Sequence, residues 1–190
     1  MSELFFCPGQ VMPRLFIAID FPSEFKHKLG QLRVTLPGAK WVPVKQLHLT
    51  LAFLGEIDTA MIPCVTQSLS TIRASSFILR YVGTGCFPDK RRPHVLWAGL
   101  EPQPLLCDLV EKIRTSVTMC GIPLKNRTFA PHVTLARLKS PEPRESNAFL
   151  SQPHTTSFPP VEVHEFLLFE SRLTSHGALH TVVQTFKLTG

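Results

Sequence analysis

His48-Leu49-Thr50-Leu51-Ala52 and His132-Val133-Thr134-Leu135-Ala136 are two copies of one pattern, each set inside an apolar run. A lone His-x-Thr match is readily supplied by chance, and His154-Thr155-Thr156 is such a match, with no apolar continuation. Requiring Leu and Ala at the next two places, twice, removes that explanation. Side chains alternate across a strand, so His48 and Thr50 share one face while Leu49 and Leu51 take the other. The same alternation sets His132 and Thr134 against Val133 and Leu135. Each strand then presents an imidazole beside a hydroxyl, backed by aliphatic packing. Two such strands in two similar halves are expected to face each other across a cleft, related by a pseudo-twofold axis.

Ahead of the first motif, Arg14–Phe21 reads as a buried strand ending at Pro22, and Glu24–Leu36 as a helix after a Ser23 N-cap, stopped by Pro37-Gly38. Leu47–Leu54 is the first motif strand, and Asp58–Ile72 a second helix. Phe77–Phe87 and His94–Leu100 read as strands around an exposed basic loop at Lys90-Arg91-Arg92. Leu105–Cys120 is a third helix, with Leu105, Leu109, Ile113 and Val117 as its apolar stripe, and Pro131–Leu138 the second motif strand. Ser140–Pro160 is Pro- and Ser-rich, with a short helix at most around Ser146–Leu150. Val163–Leu173 and Ala178–Leu188 form a closing hairpin turned at Ser175-His176-Gly177. Helices separated by one or more strands argue an α+β fold: two pseudo-symmetric lobes of mostly antiparallel sheet with outer helices. Residues 1–190 are expected to make one such two-lobed domain.

Composition narrows the function classes. At 44% hydrophobic and 18% charged residues, the chain is neither disordered nor a charged tail. No apolar run is long enough to span a bilayer, and Glu3 stands where a secretory signal wants positive charge, so a cytoplasmic protein without membrane partners is expected. A net charge of +6 leans toward anionic partners. The five cysteines include no C-x-x-C pair and are expected to be buried free thiols. No sticky face is evident, and a monomer is expected.

Two imidazoles across a cleft suit general acid–base chemistry near neutrality, one neutral and one charged. Two hydroxyls beside them suit an oxyanion with several oxygens. A phosphodiester wants all four. No Asp, Glu or Cys accompanies the pair at ligand spacing, so chemistry without metal or cofactor is expected.

These motifs resemble those of the 2H phosphoesterases, in particular the bacterial RNA 2′,3′-cyclic phosphodiesterases, also called 2′-5′ RNA ligases. The likeness extends to Arg14-Leu15-Phe16-Ile17-Ala18-Ile19-Asp20, to His48–Gly55, to Val95-Leu96-Trp97-Ala98-Gly99 and to Pro131–Arg137, in the family's order. The resemblance implies a positively charged cleft that hydrolyses the 2′,3′-cyclic phosphate of an RNA end or a nucleotide to a 2′-phosphate. It implies that His48 protonates the leaving 3′ oxygen, that His132 activates water, and that Thr50 and Thr134 bind phosphate oxygens. Joining of RNA ends through a 2′-5′ linkage is the reverse direction, and a binding module without turnover is the alternative outside enzymology.

Arg137 is a further candidate for the phosphate and Phe53 for a stacked base. Strict alternation puts both on the wrong face, so each reaches the cleft only where its strand bulges or ends; for Arg137 that point is after Ala136. His180 stands where the family commonly has an aromatic residue such as Tyr, and His176 and His180 are expected to be surface hairpin residues. Lys125-Asn126-Arg127, just ahead of the second motif, is a candidate contact to an RNA backbone. A bell-shaped pH dependence with two limbs near neutrality is expected.

Overall fold

A computed structural model of the chain describes residues 12–125, 128–139, 146, 149–151, 157–174 and 177–189. The strands are β1 (Arg14–Asp20), β2 (Ala39–Trp41), β3 (His48–Glu56), β4 (Phe77–Leu79), β5 (Tyr81–Phe87), β6 (Val95–Leu100), β7 (His132–Leu138), β8 (Val161–Val163), β9 (Glu165–Thr174) and β10 (Gly177–Lys187). The helices are α1 (Ser23–Gln31), α2 (Ile62–Ser70) and α3 (Pro104–Met119). Eight strands form one sheet in the order β10-β9-β1-β3-β7-β6-β5, with β2 paired to β7, while β4 and β8 pair separately. All of these ladders are antiparallel, as the α+β expectation requires.

The sheet is two half-sheets joined at one residue pair. Between β3 and β7 the ladder is Leu49 opposite Val133 and nothing more. On one side β3 pairs with β1, and α1 follows β1; on the other, β7 pairs with β6, and α3 follows β6. Each motif strand therefore follows a strand–helix unit, and the two motif strands meet at the middle residue of each His-x-Thr.

β1 is a continuous apolar run because both of its faces are covered. Leu15, Ile17 and Ile19 join the main core with Leu49, Leu51, Val133 and Leu135. Phe16 and Ala18 turn the other way, onto Leu167 and Phe169, as a small second cluster. Helix α1 buries Phe25 and Leu29 one turn apart, and α3 buries Leu106, Leu109, Val110, Ile113 and Val117.

Several boundaries differ from those read in the sequence. Helix α1 ends at Gln31, not Leu36, with Pro22 at its N-cap and Ser23 already helical. Its last turn is docked against the 3-10 turn at Val44–Gln46: a Cβ on Gly30 would stand 2.8 Å from Val44 Cγ2. The α3 stripe runs through Leu106, leaving Leu105 exposed. Phe77–Phe87 divides into two strands, because β4 leaves the main sheet to pair with β8. The cysteine expectation is also corrected. Packing of α2 on the end of α3 brings Cys64 and Cys120 together as a disulfide, Cα atoms 6.0 Å apart, across a separation in sequence that spacing rules do not reach. Cys86 and Cys107 are free. Ser146, Phe149 and Leu150 of the short helix expected near Ser146–Leu150 are helical, while residues 140–145, 147–148, 152–156, Asn126, Arg127, Ser175 and His176 lie outside the described residues.

Candidate functional site

The local cause of the site is a bulge repeated in both motif strands. Opposite β1, Ala18 faces Thr50 and Ile17 faces Ala52, so Leu51 is skipped. Opposite β6, Trp97 faces Thr134 and Leu96 faces Ala136, so Leu135 is skipped. One unpaired residue in a strand resets its alternation. Leu51-Ala52 and Leu135-Ala136 are consecutive buried residues, and the next residues, Phe53 and Arg137, return to the face that carries His48, Thr50, His132 and Thr134. The parity objection to Phe53 and Arg137 is thereby removed. The bulge lies ahead of the Ala, one place earlier than the position considered for Arg137.

Each imidazole is held by the same device. His48 Nδ1–H donates to the Gln46 carbonyl at 2.7 Å, and His132 Nδ1–H donates to the Ala130 carbonyl at 2.7 Å. A carbonyl only accepts, so Nδ1 carries the proton in both rings and Nε2 is left for chemistry. Thr50 and Thr134 hydroxyls have no protein hydrogen-bond partner among the described residues. Their donors are unspent.

The surroundings of the two rings differ. His48 lies over Phe16 with centroids 4.9 Å apart, near Phe169 at 6.3 Å, and edge-on to His180 at 5.3 Å. Burial pushes its pKa from 6.5 down to about 4. The Gln46 carbonyl opposes that shift, His180 adds to it, Asp20 opposes it and Lys26 adds to it, in falling order of effect. His132 instead stands edge-on to Phe87 at 4.9 Å, with Trp97 at 6.2 Å. Trp97 is seated over glycine: a Cβ on Gly85 would fall 2.1 Å from its Cζ2. The Gly83-Thr84-Gly85 segment is thus a strand in which Gly85 admits the indole, with a register irregularity beside it between Tyr81 and Gly83.

Sequence reasoning missed four residues here. Phe16 is the floor under His48, and alternation along β1 already separates it from Leu15 and Ile17. His180 is on the site face and not on the outer surface of the hairpin. Gln46 holds His48 through its carbonyl, while its Nε2–H donates to the Ala178 carbonyl of β10 at 2.7 Å. Lys40 stands directly opposite Arg137 in the β2–β7 ladder, both side chains exposed. Directly opposed residues share a face, and neither cation has a carboxylate partner among the described residues. Lys26 is spent structurally: its ammonium pairs with Asp20 at 2.6 Å and donates to the Lys45 carbonyl at 2.9 Å. It lines a separate open cavity of about 490 Å³, together with His27, Arg33 and Lys45, at the start of α1. Neither motif histidine lines that cavity.

The family model described as LigT like phosphoesterase matches residues 19–97 and 100–180. An RNA 2′,3′-cyclic phosphodiesterase of Aquifex aeolicus is 38% identical over 155 residues, spanning 80% of this chain and 82% of that protein. One of the same name from Thermus thermophilus is 35% identical over 195 residues, covering 93% and 91%. The crystal structure of Escherichia coli LigT in apo form superposes with a TM-score of 0.74 at 29% identity, over 94% of this chain and 99% of that one. Its complex with 3′-AMP superposes at 0.75 and 28% identity, with the same coverage.

Proposed function

The chain belongs to the LigT like phosphoesterase family, and from that premise we propose that it hydrolyses 2′,3′-cyclic phosphates on RNA ends or nucleotides, leaving a 2′-phosphate. The observation that carries this reading is the matched pair of imidazoles. Each has Nδ1–H tied to the carbonyl two residues back, and each leaves Nε2 free, on strands joined at Leu49 and Val133. A single imidazole would serve binding; two, each with a free hydroxyl on its own strand face, serve proton transfer to and from a phosphodiester.

His132 Nε2 takes a proton from water as its oxygen attacks phosphorus. The bond from phosphorus to O3′ breaks, and His48 Nε2–H protonates the leaving oxygen. Thr50 and Thr134 donate hydrogen bonds to the non-bridging oxygens, Arg137 adds a guanidinium to the anion, and Phe53 offers a ring to the base. Burial leaves His48 neutral in the free protein. A phosphate anion on this face is the opposite charge that raises it, so proton uptake accompanies substrate binding. No metal enters the scheme, and each imidazole is asked for about 10²–10⁴-fold.

The test is hydrolysis of 2′,3′-cyclic AMP with EDTA present. Wild type turns over, and His48→Ala and His132→Ala each lose at least about 100-fold. Activity surviving either substitution overturns the paired mechanism. Dependence on added metal overturns its metal-free form, and tight RNA binding with no turnover makes the protein a binding module.

A further inference from the structure

We propose that His180 is a third imidazole of this site, donating a hydrogen bond from its ring to the substrate's phosphate group on the His48 side. The inference rests on the phosphodiester reading above and adds a residue to it. His180 is on β10, opposite Ser171 of β9, with the two strands β9 and β1 between it and β3. Its ring nevertheless reaches the motif face: it meets Phe16 at 4.9 Å and 69°, and His48 at 5.3 Å and 74°. One phenyl ring thus carries both imidazoles.

The second observation is what His180 lacks. His27, His48, His132 and His164 each have a ring nitrogen committed to a carbonyl or a carboxylate. The half-buried His180 has no hydrogen-bond partner among the described residues. A half-buried polar ring with both nitrogens unspent is an unfinished hydrogen-bonding site. The ring set edge-on to it is that of His48, whose Nε2 is assigned to the leaving oxygen. A neutral imidazole supplies one N–H donor and one acceptor, so this contact requires no charge on His180. Burial lowers its pKa, which keeps the ring in that form. The ionisable groups acting on His48 are His180 from β10, Asp20 from β1 and Lys26 from α1. The faces of β1 and β9 against His180 are the phenyl rings of Phe16 and Phe169.

The position is fixed from the other side by Gln46, which links the turn before His48 to Ala178, two residues from His180. The closing hairpin is therefore tied to the same residue that orients His48. A surface role for His180 would require no such bracket.

Two measurements test the proposal. His180→Phe keeps a ring on Phe16 but removes both nitrogens; kcat/KM for 2′,3′-cyclic AMP falls about 10- to 100-fold, and His180→Gln, which retains an N–H, recovers part of the loss. In wild type, the His180 ring-proton resonance moves when inorganic phosphate is added, which needs no folded variant. Wild-type kcat/KM in His180→Phe overturns the proposal, as does a His180 resonance unmoved at saturating phosphate. If His48→Ala is inactive while His180→Phe is not, only the role of His180 is lost; if His48→Ala is active, the mechanism beneath it is lost as well.

Discussion

At His48 the backbone and the ring packing pull in opposite directions. The Gln46 carbonyl favours the charged imidazole, but the Phe16 and Phe169 floor excludes water, and burial wins, leaving the pKa at about 4. The stability consequence has a definite sign. The folded pKa lies below the unfolded 6.5, so between the two the unfolded chain binds more protons. Stability is fully present above pH 6.5 and is lost as pH falls toward 4, by about 3 kcal/mol from this group. Urea titrations at pH 7 and 4.5 check this, and His48→Asn is expected to flatten the difference. The lower limb of kcat/KM, which reports the free enzyme, is expected near pH 4. A lower limb near 6.5 would show His48 to be solvated. The two limbs near neutrality expected from ordinary imidazoles are corrected to that extent. The His-x-Thr spacing made His48 and Thr50 legible in the sequence. What depresses His48 was not legible, because Phe169 and His180 arrive through the β10-β9-β1-β3 ladder from more than a hundred residues away.

At the scale of elements, the bulges at Leu51 and Leu135 explain why strand positions were readable and side-chain faces were not. Apolar runs located β1, β3, β6 and β7 well, since a buried strand announces itself by composition. One skipped residue leaves that composition unchanged while turning Phe53 and Arg137 over to the site face. Short β2 and β8, at three residues each, carry too little pattern to read. The glycine-rich β5 is a second case where the absent side chain is the information. Gly85→Ala would set a Cβ 2.1 Å from the Trp97 ring, and Trp97 and Phe87 flank His132. The indole must move, at a cost of about 1–3 kcal/mol. A lower denaturation midpoint together with reduced kcat is the expected result; a lower midpoint with unchanged kcat would show that Trp97 packs without orienting His132.

For the whole molecule, the pseudo-twofold relation breaks down at corresponding positions beyond the motifs, and the break has chemical content. After Thr50 and its bulge stands Phe53, 67% exposed and 6.0 Å from Phe16. After Thr134 and its bulge stands Arg137, opposite Lys40. One arm of the face ends in an aromatic ring and the other in two cations, the complements of a base and a phosphate. Two cations set directly opposite one another repel unless an anion lies between them, and the net charge of +6 makes the surrounding field favourable to one. Salt separates the two arms. Phosphate contacts on a single strand are lost with a slope of about −0.7 per contact in log K against log salt, whereas base stacking has no such slope. Binding of a short single-stranded RNA, followed by fluorescence anisotropy from 50 to 300 mM NaCl, is expected to weaken in Phe53→Ala with the wild-type slope. In Arg137→Gln it is expected to weaken with a slope shallower by about 0.7, and Lys40→Gln is expected to follow Arg137→Gln. Equal slopes in all three variants would mean that the asymmetry of the two arms is a feature of packing, and that the strand leaves the site by another path.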